Sequence, residues 1–271
     1  PAIVAGYGQA YLIAPTKRPD GTLELPEGVQ DAVHIDDGAF LGSNHSGAAN
    51  SLVTRGGLTH IVWGSNTPVA GKPGTPQYAA TYDHRTGETG EKVLLGFGRT
   101  LGNAKPDDHN MPAITIDSQG YLHVLLGAHH EQLQYTRSLR PHTTASGWTE
   151  PVPVGIPRGP GQGSYTYPSL VCDQDDTLHV VARWAGAGYA PQAPPASAWA
   201  ECCHQLVYLR RKAGQPWEAQ KSLVVPFRNR YSIWYHKLSL DREGRLFLSY
   251  LYFGQQLTKA EVAAYRVRWP G

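Results

Sequence analysis

Hydrophobic and polar positions alternate along most of the chain in short runs, a pattern typical of half-buried β-strands. One arrangement recurs at intervals of roughly sixty residues: an alternating or β-branched run, a polar turn, and a second apolar run. It is found at 50-NSLVTRGGLTHIVWG-64, 112-PAITIDSQGYLHVLLG-127, 168-PSLVCDQDDTLHVVAR-183 and 236-HKLSLDREGRLFLSYL-251. Each copy predicts a tight β-hairpin.

Further strands are predicted after these hairpins. Third strands follow the first three hairpins at 77-QYAATYDH-84, 132-QLQYTRS-138 and 205-QLVYLRR-211, and candidate fourth strands are 147-GWTEPVPVG-155 and 216-PWEAQKSLVV-225. Four antiparallel strands per unit are typical of the blades of a β-propeller, and a β-sandwich is the alternative. The sequence therefore predicts an all-β protein, a β-propeller of four-stranded antiparallel blades with about five blades. We expect 7-YGQAYLIAP-15 and 262-VAAYRVRW-269 to share the blade that closes the ring.

The composition agrees with this interpretation. The 271 residues include 30 glycines, 21 prolines, seven tryptophans and 15 tyrosines, but a single methionine. Such a chain favours short strands and tight turns over a helical bundle. Because this length is enough for one sizeable core, we predict a single catalytic propeller domain over residues 1–271.

Charge and hydropathy narrow the choice of partners. The 24 basic and 22 acidic residues nearly cancel, so neither nucleic acid nor an anionic membrane is expected as a partner. No apolar run is long enough to span a bilayer. The opening segment 1-PAIVAGYGQAYLI-13 lacks the basic n-region of a signal peptide, and the start at Pro1 indicates a processed or trimmed chain. We expect a monomer that is secreted or periplasmic.

The hairpin pattern also predicts where polar side chains gather. In an antiparallel meander, residues that enter the first strand and residues that leave the second lie at the same end of the sheet. Because the innermost strands of a propeller converge on its axis, these side chains are predicted to surround one central pocket. The residues at that end are His45, Asn50, His109, His129, His130, Tyr165, Tyr167, Arg183, Tyr231 and Tyr235.

These residue types favour one reaction. The group has imidazoles, phenols and a guanidinium but no obvious carboxylate pair, so a two-carboxylate glycosidase fits poorly. An arginine that binds a carboxylate, together with a His or Tyr base and acid, suits β-elimination across a uronate. We expect Arg183 to offset the charge of the uronate and His109 with Tyr167 to transfer protons. An acidic polysaccharide is thus the predicted partner.

At these positions the sequence resembles the propeller-type ulvan lyases, polysaccharide lyases with neuraminidase-like BNR repeats. The resemblance is carried by DHNMPAITID, GAHHEQLQYTRS and YTYPSLV, and by the arginine that ends 178-LHVVAR-183. In that family two histidines about twenty residues apart, a tyrosine and an arginine sixteen residues later form the catalytic group, and His109, His129, Tyr167 and Arg183 have this spacing. The family members are longer and have more blades. The resemblance implies a lyase on an ulvan-like polymer without a catalytic cofactor.

The same reasoning assigns substrate binding to a wider set and leaves alternatives open. Adjacent residues of a strand point to opposite faces, so one of His129 and His130 is expected to face the pocket, and Tyr165 shares the alternation phase of Tyr167. A non-catalytic glycan-binding propeller and a sialidase-like hydrolase are the alternative functions. The predicted substrate-binding residues are His45, Asn50, Asn110, His130, Tyr165, Tyr231 and Tyr235.

The cysteines raise a separate question. Cys172, Cys202 and Cys203 do not make a disulfide framework. In 202-CCH-204, Cys202 and His204 share a face of an extended segment, and His236 is a candidate third ligand of a structural zinc. The resemblance supports this site, because some members of the group carry structural zinc. Buried free thiols are the alternative.

Overall fold

Antiparallel strands make up almost all of the regular secondary structure. This computed structural model describes residues 2–6, 8–40, 50–98, 106–157, 164–186, 204–225, 233–252 and 259–268. The strands are β1 (Ala2–Gly6), β2 (Gly8–Ile13), β3 (Thr16–Lys17), β4 (Leu23–Glu24), β5 (Val33–Phe40), β6 (Leu52–Arg55), β7 (Leu58–Ser65), β8 (Thr75–Asp83), β9 (Glu88–Thr89), β10 (Val93–Gly98), β11 (Ala113–Ile116), β12 (Leu122–Leu126), β13 (His129–Glu131), β14 (Leu133–Arg137), β15 (Val152–Val154), β16 (Ser164–Cys172), β17 (Leu178–Ala185), β18 (His204–Arg211), β19 (Lys221–Val224), β20 (Ile233–Leu240) and β21 (Leu246–Tyr252). A short 3-10 turn covers Val29–Asp31, and one helix, α1, covers Lys259–Arg268.

All four predicted hairpins are confirmed. They are β6–β7, β11–β12, β16–β17 and β20–β21, and each pairs in antiparallel register. The turn of the second hairpin illustrates why the sequence folds this way. Gly120 donates its amide to the Asp117 carbonyl at 3.1 Å with φ at 90°, a conformation that glycine adopts without a steric penalty. The Asp117 carboxylate accepts the Tyr121 amide at 2.8 Å, which closes the turn.

The hairpins extend into consecutive sheets with the predicted strand order. We call these the first sheet (β6, β7, β8, β10), the second sheet (β11, β12, β14, β15), the third sheet (β16, β17, β18, β19) and the fourth hairpin (β20, β21). The short strand β13 pairs with β16 on the side opposite to β17, so it forms one edge of the third sheet. The N-terminal strands β1, β2 and β5 join the first sheet where Ala39 pairs with Ser65 and Phe40 with Gly64. The repeat read from the sequence is therefore present in the structure.

Neighbouring sheets pack face to face through shared apolar clusters. Val62 and Leu95 of the first sheet pack with Ile114 and Leu122 of the second, and all four are at most 6% exposed. A second cluster joins Leu125 to Leu170 across the second and third sheets, and a third cluster joins the third sheet to the fourth hairpin. Burial of these side chains on both sides supplies the hydrophobic driving force that holds each sheet against the next.

Hydrogen bonds also join neighbouring sheets, both near the inner strands and at the turns. Near the inner strands, the Asn50 carbonyl accepts the Ile114 amide at 2.8 Å, and the Asn50 side chain donates to the Leu170 carbonyl at 2.7 Å. At the turns, the amide and hydroxyl of Ser118 both donate to the Asp176 carboxylate at 2.6 Å. Arg55 donates to the Asp117 carbonyl across the first and second sheets. Innermost strands of successive sheets thus lie side by side, as expected for strands around an axis.

The predicted C-terminal strand is wrong. Residues 262–269 were expected to pair with the N-terminal strand, but α1 covers Lys259–Arg268, while β2 pairs with β1 and β5. Three alanines and flanking long charged side chains give 259-KAEVAAYRVR-268 a high helix propensity, and two arginines in the last turn suit the helix dipole. No described strand pairs with this segment, so local propensity decides its conformation. None of the helices in the described ranges has the length and hydrophobicity needed to cross a bilayer.

Candidate active site

The first part of the site is the loop of residues 106–112 that precedes β11. Thr75 of β8 fixes it, because the Asp107 amide donates to the Thr75 hydroxyl at 2.8 Å and that hydroxyl donates to the Asp107 carbonyl at 3.2 Å. The Asn110 amide closes a turn on the same carbonyl at 3.1 Å. His109 lies in this turn with its side chain 28% exposed. The loop thus presents a half-buried imidazole at the end of the sheet that the sequence predicted.

His129 stacks on His109 from the neighbouring strand β13. Their ring centroids are 4.3 Å apart with an interplanar angle of 12°. The Asp107 carboxylate accepts from Nδ1 of His109 at 2.5 Å and from Nδ1 of His129 at 2.6 Å. Burial raises the pKa of Asp107, but the hydrogen bonds from the two imidazoles outweigh it and hold that pKa well below its usual range. The hydrogen bond to Asp107 in turn raises the pKa of His109 against the opposing effect of burial.

His130 does not point away from this group as strict alternation predicts. Its φ is 56°, and the register of β13 on β16 shifts between His129 and Glu131. The irregular backbone brings the two adjacent imidazoles to a centroid distance of 4.5 Å. His130 also lies 5.8 Å from the His204 ring at the start of β18. A left-handed residue and a bulge therefore place two consecutive side chains on the same side.

Tyr167 and Arg183 complete the group from β16 and β17. The Tyr167 ring stacks against His109 at 6.0 Å, and the guanidinium carbon of Arg183 lies 4.6 Å above the Tyr167 ring. Tyr167 has φ of 59° at a register shift between Thr166 and Ser169, a conformation that non-glycine residues adopt rarely. Arg183 is only 1% exposed and is among the largest fully buried side chains. The structure thus brings together all four residues that the spacing singled out.

Arg183 occupies a position that holds glycine in the preceding sheets. The corresponding second-strand residues are Gly64, Gly127 and Arg183, each four residues after a histidine. A Cβ atom at Gly127 would lie 2.3 Å from the Met111 amide nitrogen, because the chain after the histidine loop packs directly on it. The third sheet carries a long cationic side chain where its neighbours have no side chain at all. This contrast distinguishes Arg183 from the equivalent positions of the repeat in the sequence.

The remaining predicted binding residues fall into different environments. Tyr235 of β20 contacts Tyr167 with a centroid distance of 6.0 Å, so it belongs to the group. Tyr165 does not: it is fully buried in the cluster between the second and third sheets, and its hydroxyl bonds to Gln220 and to the Ile156 amide. Burial raises the pKa of Tyr165 to about 12. Asn50 and Asn110 are linking residues whose amide groups donate to backbone carbonyls.

Other predictions concern residues that the structure does not describe. His45, Tyr231 and Cys202 lie outside the described ranges. His236 is 3% exposed and its Nε2 atom lies 3.2 Å from the Val181 carbonyl, and burial lowers its pKa to about 4. A zinc ion on Cys202, His204 and His236 therefore stays a prediction. Within the described ranges, the ligand atoms of Asp107, His109 and His129 lie within 4.8 Å of one another, but direct hydrogen bonds already join them.

Asp107 was not among the predicted site residues. Its position beside the histidines was evident, but its contact with both depends on the loop's attachment to Thr75, which lies 32 residues earlier. Local sequence patterns do not predict contacts between residues so far apart in the chain. The signal available in the sequence was the pair of aspartates that immediately precedes His109 in 107-DDHN-110.

Repeated antiparallel sheets and a His, Tyr and Arg group at one end define an all-β protein of a repeat class. The chain belongs to the BNR repeat-containing family, whose members match it over residues 76–268. The resemblance to ulvan lyases is confirmed by two curated relatives. An ulvan lyase of family PL25 from Pseudoalteromonas sp. (strain PLSV) is 30% identical over 116 residues, which are 39% of this chain and 22% of the relative. An ulvan lyase from Alteromonas sp. (strain LOR) is 30% identical over 82 residues, or 29% of this chain and 16% of the relative.

Solved structures agree on the fold. A PL25 ulvan lyase superimposes with a TM-score of 0.56 at 18% identity, covering 79% of this chain and 47% of that one. The same enzyme class bound to -[GlcA(1-4)Rha3S]- superimposes with a TM-score of 0.54 at 17% identity, covering 79% and 48%. The chain thus spans about half the length of these structures.

Proposed function

We propose that this chain is a polysaccharide lyase that cleaves a uronate-containing, ulvan-like polymer by β-elimination. The observation that carries the proposal is the stacking of His109 on both His129 and Tyr167, with the buried guanidinium of Arg183 over the Tyr167 ring. Such a group supplies a cation and two kinds of proton-transfer residue within one small volume. The ulvan lyase relatives and the bound uronate–rhamnose ligand of a similar fold support the substrate class.

Arg183 has the first role in the proposed reaction. The C5 proton of a uronate is too weakly acidic to remove while the adjacent carboxylate keeps its full charge. A guanidinium can bind that carboxylate through two parallel hydrogen bonds and stabilise the negative charge that develops as the proton leaves. Because Arg183 is buried, its electric field is screened less than that of a surface cation.

His109 and Tyr167 then transfer protons. One of them removes the C5 proton, the electrons of that C–H bond form the C4–C5 double bond, and the C4–O4 bond breaks. The other gives a proton to the departing O4 oxygen, so that the products are an unsaturated uronate and a free hydroxyl end. His129 lies against His109 and is proposed to assist it. The reaction requires no catalytic cofactor in this scheme, because the arginine takes the place of a metal cation.

Binding of the polymer is proposed to involve aromatic and polar groups around this centre. Tyr235 and His130 flank the group on two sides. Asn110 lies in the turn with His109, and His45, Asn50 and Tyr231 complete the predicted set. Stacking of aromatic rings on sugar faces and hydrogen bonds to hydroxyl and sulfate groups are the expected interactions.

The finer architecture belongs to the same proposal. We propose one β-propeller domain over residues 1–271 with about five blades. Three four-stranded sheets, a fourth hairpin and the N-terminal strands support this number. The shared apolar clusters between neighbours support their arrangement around one axis. A secreted or periplasmic monomer with a structural zinc at Cys202, His204 and His236 completes the proposal.

A direct test follows the unsaturated uronate by its ultraviolet absorbance. The protein is incubated with ulvan, glucuronan, glycosaminoglycans and pectin, and we expect the absorbance to rise with ulvan. Tyr167→Phe should lower kcat about 100-fold, the usual scale for loss of a general acid or base, with a smaller change in KM. Tyr165→Phe is the matched control and should keep wild-type kcat, since Tyr165 lies in the core.

Three outcomes contradict the proposal. Chain cleavage without the absorbance indicates a hydrolase, and binding without cleavage indicates a glycan-binding propeller. Wild-type kcat in Tyr167→Phe removes the tyrosine from the chemistry.

A further inference from the structure

The backbone of Asp107 is held in place by hydrogen bonds to Thr75 and Asn110. Its amide and carbonyl are both bonded to the Thr75 hydroxyl, and its carbonyl also accepts the amide and the side-chain nitrogen of Asn110 at 3.1 and 3.2 Å. Asp107 has a side chain only 18% exposed. The backbone that carries the carboxylate is therefore fixed by contacts other than those with the two histidine rings.

Each oxygen of this carboxylate contacts a different imidazole. Oδ1 accepts from the backbone amide of His109 at 2.9 Å and from its Nδ1 at 2.5 Å, whereas Oδ2 accepts from Nδ1 of His129 at 2.6 Å. A carboxylate with a lowered pKa is ionised and can only accept hydrogen bonds. Both imidazoles must consequently carry a hydrogen on Nδ1.

The tautomer determines which atom of each ring can do chemistry. A neutral imidazole with hydrogen on Nδ1 has its lone pair on Nε2, on the far side of the ring from Asp107. Two rings stacked within 4.3 Å and bonded to one carboxylate present their Nε2 edges on the same side. Without the carboxylate, each ring is able to rotate and to exchange its tautomer.

We propose that Asp107 is a positioning residue shared by both histidines, which orients His109 and His129 and fixes them with hydrogen on Nδ1 so that the two Nε2 atoms face the substrate. The catalytic consequence rests on the proposed lyase function, but the tautomers do not. A carboxylate that orients one histidine is common in enzymes and metal sites. Here a single carboxylate serves two imidazoles.

The sharpest test is the substitution Asp107→Asn. The amide has one accepting oxygen and one donating nitrogen, so it can satisfy Nδ1–H of one ring only and must donate to Nδ1 of the other. Because Oδ1 of Asp108 lies 3.2 Å from Nδ1 of His109 and can still accept its hydrogen, we expect the amide nitrogen to face His129 and that ring to carry its hydrogen on Nε2. ¹⁵N spectra of imidazole-labelled protein distinguish the two tautomers, and His109→Gln and His129→Gln assign the signals.

We expect the wild-type spectrum to have both rings with hydrogen on Nδ1 and the Asp107→Asn spectrum to have one ring in the other tautomer. With ulvan, kcat of Asp107→Asn should fall about 100-fold or more while KM changes little, because the lost group acts on the proton-transfer residues. The matched control is Asp117→Asn, which breaks an equivalent Asp–His hydrogen bond away from the site and should leave kcat unchanged.

Neutral wild-type rings with hydrogen on Nε2 in place of Nδ1 overturn the proposal whether or not the protein is active. Unchanged tautomers and unchanged kcat in Asp107→Asn overturn it as well. If the wild type lacks lyase activity but its rings carry hydrogen on Nδ1, the positioning role is supported and the proposed function fails. The wild-type spectrum is informative even if Asp107→Asn folds poorly.

Discussion

The two ends of the sheets contain the same residue types in different states. At the turn end, His123 lies between the Asp117 carboxylate at 3.1 Å and the Tyr135 hydroxyl at 2.6 Å. The third sheet repeats the arrangement with Asp173, His179 and Tyr208 at 2.8 and 2.6 Å. At the other end, His109 and His129 share Asp107, and Tyr167 stacks on His109. Aspartate, histidine and tyrosine therefore occur together at both ends.

The histidines at the two ends differ in the exposure of their side chains. Both ring nitrogens of His123 and of His179 are hydrogen-bonded within the protein, and these side chains are 9% and 8% exposed. The side chains of His109 and His129 are 28% and 24% exposed. A buried histidine whose two nitrogens are bonded internally stabilises the fold, whereas a partly exposed histidine is accessible to a ligand. Residue type alone does not distinguish these roles.

The largest expected effect on activity is that of replacing Arg183, which lies at the same end of the sheets as His109 and His129. Arg183→Ala should lower kcat/KM about 1,000-fold, the scale for loss of one charged group that stabilises the transition state. Arg183→Lys should recover little, because a point charge cannot form the planar pair of hydrogen bonds. The control Arg210→Lys alters an ion pair with Glu218, both side chains of which are partly exposed, and should leave kcat/KM unchanged. Recovery of more than about a tenth of wild-type kcat/KM by Arg183→Lys contradicts the two-bond role.

A smaller effect concerns the turn-end histidine that has no carboxylate partner. His60 of the first sheet is equivalent to His123 and His179, but it bonds to the Thr81 hydroxyl at 2.9 Å. Burial lowers its pKa from 6.5 to about 4. The unfolded chain therefore binds the proton first as pH falls, so stability is complete above pH 6.5 and decreases between 6.5 and about 4.

The size of this pH effect is about 3 kcal/mol in the free energy of unfolding. His60→Gln should remove it, so that urea denaturation of the variant varies less between these two pH values than that of the wild type. His34→Gln serves as the control, since its imidazole is 46% exposed beside Asp37. Equal pH dependence in His60→Gln and the wild type contradicts the assignment.

The smallest expected effect concerns His123, whose two ring nitrogens are both hydrogen-bonded within the protein. His123→Ala should lower the free energy of unfolding by about 2 kcal/mol, because it removes the hydrogen bonds that the Asp117 carboxylate and the buried Tyr135 hydroxyl make to the imidazole. The kcat on ulvan should remain at the wild-type value. Urea denaturation and the absorbance assay measure the two quantities on the same sample. A loss of kcat with stability unchanged would reverse the roles given to the two ends.

Regular features of the fold were predictable from the sequence. The hairpins follow from alternation and from turns such as 117-DSQG-120 and 241-DREG-244, in which an aspartate and a glycine favour the same local geometry. The grouping of His109, His129, Tyr167 and Arg183 follows from their places at strand ends. Both predictions depend on local patterns that repeat.

Irregular features were not predictable in the same way. Tyr165 and Tyr167 have the same alternation phase and are both buried, but Tyr167 has a positive φ and contacts His109, whereas Tyr165 packs in the cluster between the second and third sheets. His130 faces the site because its φ is also positive. The C-terminal helix follows local propensity where a strand partner was assumed. These outcomes depend on backbone conformations and distant contacts that alternation does not specify.

The pairwise packing of the sheets has a consequence for how the molecule loses its structure. Ser118 binds Asp176 across the second and third sheets, and Arg55 binds the second sheet from the first. When each unit interacts mainly with its neighbours, stability is a sum of unit terms and interface terms, as in a one-dimensional chain of coupled units. Damage to one sheet then weakens its two interfaces directly and reaches more distant sheets only through them. Because the histidine loop and the Tyr167–Arg183 pair belong to adjacent sheets, opening of that single interface separates His109 from Tyr167 and Arg183 while most of the remaining β-structure is still folded.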